Sequence, residues 1–227
     1  MTHSTASTMS SASSEMRALA DSLRGQWLQL RARLQEKALL GGPQATLSLR
    51  IPGGTAMWHG AVDASQPEQV DWQARADSVA AAVFAQRADV CAVVHAGGAF
   101  GGLLGELKLA DGCMPLVFDE QVRHLGRMPV AQSRQAGWAA CLRGGDNVVL
   151  VDGQPVVLGM TANRLALNAE LFEKCAKAYV LAAASGGRIK ALPWIVRHVA
   201  NGRLMKDEKR ARERVASGLL PEESKGY

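Results

Sequence analysis

The sequence predicts an α/β domain, a mixed central sheet with helices on both faces. Three observations carry that prediction. Stretches whose apolar residues recur every three or four positions alternate with short β-branched runs, as at 16–34, 90–95 and 161–183. Glycine, proline and aspartate mark each change of period, at Gly41-Gly42-Pro43, Gly97-Gly98, Asp152-Gly153 and Gly186-Gly187. A chain of 227 residues, 48% hydrophobic and 21% charged, suits one domain with a sizeable core and leaves little for a second.

Residues 1–14 are mostly serine, threonine and alanine with almost nothing to bury, so a disordered leader is expected there. From Met16, the residues Leu19, Leu23, Trp27, Leu30 and Leu34 form one buried helical stripe, stopped at Gly41-Gly42-Pro43. Leu47, Leu49 and Ile51 alternate on one face of a strand. Pro52-Gly53-Gly54 then turns the chain into Thr55 to Gly60, making a hairpin. Residues 70–86 read as a helix with Trp72, Ala76, Val79 and Val83 on one side.

The next strand ends on His95, followed by Gly97, Gly98, Gly101 and Gly102 and a short helix over 98–109. Those glycines do not fit G-x-G-x-x-G, and no lysine follows to complete a phosphate loop. Two readings remain. His95 is an inert rim histidine beside glycines chosen for packing, or it faces a pocket that the glycine turn lets a ligand approach. Residues 119–126 form a helical turn with Val122 and Leu125 inward; Glu120 and His124, four apart, suit either an ion pair or joint work on a ligand.

A short strand over 127–130, a helix over 133–142 with Trp138 inward, and a strand over 147–151 follow. Asp152-Gly153 is ordinary hairpin chemistry before Val156-Val157-Leu158. Thr161 caps the longest internal helix, with Leu165, Ala169, Phe172, Ala176, Tyr179 and Ala183 on its stripe. Residues 191–227 are a C-terminal helical extension and charged tail. Its run over 203–214, six cations against three carboxylates, reads as a solvated helix or one packed on a neighbouring subunit.

Much of the net charge of +5 lies in that tail, and aromatics are only 5%, which argues against a nucleic-acid surface. Cys91, Cys113, Cys141 and Cys175 form no C-x-x-C pair and read as thiols in a reducing compartment. No apolar run approaches the ~18 residues that span a bilayer. A cytoplasmic protein with no membrane partner is expected.

Arg87-Ala88-Asp89-Val90-Cys91-Ala92-Val93-Val94-His95 resembles the R-P-D-x-x-A-V-V-H segment of the class II aldolase/adducin family. Met114-Pro115-Leu116, Asn147 to Gly153 and the long helix after Thr161 follow in that family's order, so the resemblance covers residues 15–190. It implies a class II aldolase-like three-layer α/β/α fold and a homo-oligomer, a tetramer with sites between subunits. It also implies a divalent zinc ion held by H-x-H, a third histidine before a glycine, and a glutamate. Here those positions carry His95 and Gly97, Asp152, and Ala76, so three of four differ and a full zinc site is not expected.

The family's G-N-x-S and T-P-x-G phosphate groups match Ala45, Thr46 and Ser48, then Met57, Trp58, His59 and Gly60. The candidates are therefore His95, Glu120 and His124 for catalysis; Ser48, His59, Gly60, Gly97 and Gly98 for binding a small molecule; and His95 with Asp152 for a metal. Two functions follow from the resemblance. One is a lyase of aldolase, epimerase or decarboxylase type on a small hydroxy-carbonyl substrate. The other is a non-catalytic, adducin-like binding or assembly protein.

Overall fold

The computed structural model describes residues 4–75, 77–107, 114–127, 133 and 137–223. Helix α1 (Ser4–Glu36) leads into strands β1 (Gly41–Arg50), β2 (Ala56–Ala61) and β3 (Glu68–Asp71). Helix α2 (Val79–Gln86), strand β4 (Ala92–Gly97) and helices α3 (Ala99–Glu106) and α4 (Asp119–His124) come next. Strands β5 (Val148–Val151) and β6 (Gln154–Gly159) precede helices α5 (Ala162–Ala184) and α6 (Trp194–Ala216).

The six strands form one sheet in the order β3-β2-β1-β4-β6-β5, and every pairing is antiparallel. This corrects the expected mixed sheet. Alternating strands and helices suggested parallel crossovers, but β5 and β6 are joined by a hairpin and it is β6, running back, that lies against β4. Asp152 (φ +49°) and Gly153 (φ +78°) make that two-residue turn, both in the left-handed region a primed turn requires.

Two further boundaries differ from expectation. Helix α1 starts at Ser4, within the stretch expected to be a disordered leader. No glycine or proline lies between Ser4 and Gly25, and extending an existing helix costs far less than nucleating one. Residues 68–71 are a strand rather than the start of a helix, because the open edge of β2 pairs them, Met57 opposite Val70 and His59 opposite Glu68. Trp72 then turns back to meet the Phe84 ring edge-on at 6.4 Å, with the Arg50 guanidinium over both rings. Ala76, on the expected stripe, lies outside the described residues, as do residues 128–130 of the expected short strand. Of the helix expected over 133–142, the described part is a single 3-10 turn, Trp138–Cys141.

Strand alternation divides the core in two. Ala92, Val94 and Ala96 of β4 join Leu47 and Leu49 of β1, Trp27 and Leu34 of α1, and Leu165 and Phe172 of α5 in one cluster. Val93 of β4 joins Met57 of β2, Val156 and Leu158 of β6, and Val83 and Phe84 of α2 in the other. Which cluster a side chain shares therefore reports which face of the sheet it occupies. Thr161 accepts a hydrogen bond from the Arg164 N–H at 3.1 Å and caps α5 as expected. Among the described residues no helix is long and apolar enough to cross a membrane.

Candidate functional site

His95 sits within β4, not at its end: Ala96 and Gly97 continue the strand, and the imidazole is only 5% exposed. The rim position expected for it is corrected by this burial. By alternation it shares the face of Val93, and its lateral neighbours are Thr46 on β1 and Val156 on β6. One row along the same face, Ser48 lies opposite both Val93 and His59, and His59 lies opposite Glu68. Residues directly opposite in antiparallel strands project to the same side. Thr46, Ser48, His59 and His95 thus project from the same sheet face, which also carries the buried Arg50, Glu68 at its edge, and the apolar Met57, Val93, Val156 and Leu158.

Ser48, 1% exposed, places its Oγ 2.7 Å from the half-buried His59 Nδ1. Burial lowers the His59 pKa, and Arg75 lowers it further against the opposing pull of Asp77 and Glu68. The ring is accordingly neutral at physiological pH, and its contact with Ser48 fixes how it is turned. A neutral imidazole held at one nitrogen can take or give a proton at the other.

The predicted glycines divide by role. Gly60 faces away from Ser48 and His59, since a Cβ there would stand 3.0 Å from the Trp27 ring on the other side of the sheet. Gly97 backs onto Pro155, with room for no side chain. Gly98 is filled from the inside: the Glu173 carboxylate lies where its Cβ would be and accepts hydrogen bonds from the Phe100 N–H at 2.8 Å and the Gly101 N–H at 2.9 Å. The donors of the first turn of α3, which could have received an anionic ligand, are taken by the protein's own carboxylate. Outside them remains a shallow cavity of about 310 Å³ lined by Gly41, Gly42, Gly98, Gln154 and Glu106.

Glu120 and His124 are not brought to His95. Helix α4 packs on α5 and α6, and its inward Val122 belongs to the cluster on the opposite face of the sheet. Glu120 pairs with Lys174 at 3.1 Å, and Arg164 donates to the His124 Nδ1 at 3.0 Å. Burial, then Arg164 and Arg123, lower the His124 pKa to about 4, so the ring is a neutral acceptor in a helix-to-helix contact. Of the expected catalytic trio, His95 lies on one face of the sheet, while Glu120 and His124 lie with α4 on the side of the other.

The donor set does not fit the zinc ion that the resemblance implies. Gly97 supplies no donor and abuts Pro155, Asp152 is exposed in the β5–β6 turn, and Ala76, outside the described residues, has no ligating atom. Among the described residues, no group of three or more histidine, cysteine, aspartate and glutamate side chains is placed to hold a metal ion. Cys91 and Cys175 are buried thiols whose pKa is pushed up to about 12 by desolvation.

Sequence reasoning missed a buried ionic cluster. Arg87 donates from Nε and Nη2 to the two oxygens of Asp89 at 2.9 and 2.7 Å, and from Nη2 also to Glu208 at 2.9 Å and to Asn147 Oδ1 at 3.1 Å. The other Glu208 oxygen accepts from the Gly145 N–H at 2.7 Å. The run at 203–214 is therefore no free solvated helix but is anchored in the body. Its signal was present as Leu204, Glu208 and Ala211, one buried helical face with a carboxylate at its centre.

No family model matches the chain, and no curated protein matches it in sequence. Solved structures do. YgbL of Klebsiella pneumoniae, described as a candidate aldolase/epimerase/decarboxylase, aligns with a TM-score of 0.66 at 19% identity, over 80% of this chain and 98% of that one. The L-fuculose 1-phosphate aldolase of Glaciozyma antarctica aligns with a TM-score of 0.65 at 11% identity, over 89% and 91%. An aldolase II superfamily protein of Pseudomonas syringae gives 0.63 at 14% identity, over 89% and 95%. This chain therefore shares the fold of these solved structures, class II aldolase-type proteins among them.

Proposed function

We propose that this chain is a diverged class II aldolase/adducin-family protein of three-layer α/β/α architecture. It acts as a lyase of aldolase, epimerase or decarboxylase type on a small hydroxy-carbonyl compound. The Ser48–His59 pair, set on the same sheet face as Thr46 and His95, is the observation that supports this reading. Aldol cleavage, in which a base takes the β-hydroxyl proton as the C–C bond breaks, leaves an enolate whose carbon is then protonated, and epimerisation by proton abstraction makes an enolate at the carbon next to the carbonyl; both need a proton carrier at that carbon and hydrogen-bond donors at the oxygen. His59, held by Ser48, serves as the proton carrier, while His95 and Thr46 receive the oxygen. No step is drawn through zinc, since the residues at its positions do not match its donor set.

The common step can be measured before the substrate is known. Dihydroxyacetone and glyceraldehyde in D₂O are followed by proton NMR for washout of the proton next to the carbonyl. Enzyme-dependent washout that falls at least about a hundredfold in His59→Ala, the scale of one general base, supports the reading. Washout that persists unchanged in that variant would contradict it.

The non-catalytic reading has its own support. Glu173 occupies the donors of the glycine turn, so a carboxylate of the protein itself sits where an anionic ligand would bind. It predicts no washout, with or without His59.

A further inference from the structure

We propose that Glu68, on the edge strand β3, is a positioning residue for His59, its carboxylate steadying the imidazolium that forms when the ring takes a proton. The register sets Ser48, His59 and Glu68 side by side in one row over β1, β2 and β3, Ser48 opposite His59 and His59 opposite Glu68. Directly opposite residues project to the same face with Cβ atoms about 5 Å apart. The row runs from inside to outside: Ser48 is buried, His59 half-buried and Glu68 exposed. The imidazole therefore stands between a buried hydroxyl and a carboxylate at the open edge of the sheet. His59 falls on the unspecified position of the T-P-x-G segment, so this row belongs to the present chain and not to the resemblance.

The inference rests on the reading of His59 as the proton carrier. With Nδ1 turned to Ser48 Oγ at 2.7 Å, Nε2 is the nitrogen open to a substrate. When Nε2 takes the proton from the carbon next to the carbonyl, the C–H electron pair passes into the enolate and the ring carries a proton on each nitrogen. That positive charge arises where burial opposes it and Arg75 opposes it further, while Asp77 and Glu68 favour it. Arg75 and Asp77 lie on the turn before α2, 3.9 Å apart, so their opposite charges partly cancel. Of the three groups, Glu68 is the one that a strand ladder sets directly beside the ring. It needs no bond to Nε2, since an opposite charge within about 4–6 Å already favours the cation. The nitrogen stays free for substrate, and returning its proton to the enolate carbon leaves the ring neutral again.

Ring NMR titration of the full chain reads this effect with no substrate present. In Glu68→Gln the His59 titration should move down by about half a pH unit, the scale of one exposed carboxylate, with His95 and His124 unmoved. Glu68→Asp, which keeps the charge, should restore most of the shift. Arg75→Gln, which removes the opposing cation, should move the titration up. The pH profile of proton washout should follow: in Glu68→Gln its acid limb moves down by the same amount and its plateau falls about twofold, as for a slightly weaker base. A His59 titration unmoved in Glu68→Gln overturns the proposal. So does a shift of the same sign in Glu68→Gln and Arg75→Gln, which would mark a change of fold and not of field. A moved titration with an unmoved washout profile overturns it too, for the reaction would then use another base. A wild type without washout ends the catalytic reading and takes the proposal with it; a titration that still moves in that case shows that the reading failed and the coupling of Glu68 to His59 did not.

Discussion

Arg87 and Glu208, 121 residues apart in the chain, meet at 2.9 Å inside the protein, and their contact ties the C-terminal helix to the loop ahead of the central strand. Both side chains are almost fully buried. Without Glu208, Arg87 keeps Asp89 as its partner, but α6 loses its tie to Arg87 and the buried Gly145 N–H loses its acceptor. Glu208→Ala should destabilise the protein by about 1–3 kcal/mol in urea denaturation. Glu208→Gln, which can still accept from the Gly145 N–H, should cost less. Equal stability of Glu208→Ala and wild type would mean that α6 is not held through this contact.

The same carboxyl makes stability depend on pH. Burial raises the Glu208 pKa from an ordinary value near 4.5 to about 7; Arg87 pulls it down only in part, and the neighbouring Asp89 charge pushes it up again. In the window between those values the folded state binds a proton that the unfolded state has lost. The resulting stabilisation is therefore complete below about pH 4.5 and disappears as pH rises through about 7. The unfolding free energy of the wild type minus that of Glu208→Gln should fall between about pH 5 and 8. A flat difference would show that the carboxyl is not perturbed.

Two glycines of α3 should respond in opposite senses. A Cβ on Gly102 meets nothing within 4 Å, whereas one on Gly105 would stand 2.0 Å from the Gly153 carbonyl oxygen, backbone that cannot step aside. Gly102→Ala should stabilise by up to about 1 kcal/mol through helix propensity. Gly105→Ala should destabilise by about 1–3 kcal/mol, since the β5–β6 turn must move. Thermal unfolding of the two variants checks both, and a reversed order would mean that α3 does not pack on that turn.

What was legible in the sequence was what neighbours in the chain decide. The β1–β2 hairpin, the Asp152-Gly153 turn and the Thr161 cap depend on residues a few positions apart, and each is found where expected. The strand at 68–71 was hidden because its hydrogen-bonding partner, not its own composition, makes it a strand. The site was legible only in part. His95, Ser48 and His59 could be named, but that they share a face follows from the register of β1, β2 and β4, which nothing local records. Glu120 and His124 have helical spacing that suits a site, yet the packing of α4 on α5 and α6 sets them on the other side of the sheet.

The central claim is that ligand meets the Thr46, Ser48, His59 and His95 face, and histidine side-chain NMR tests it most directly. Five histidines are few enough to assign by single substitution. Titration of the full chain with dihydroxyacetone or glyceraldehyde should shift the ring signals of His59 and His95 and leave His124, on the opposite face, where it was. Shifts confined to His124, or none at His59 and His95 with either compound, would contradict the account.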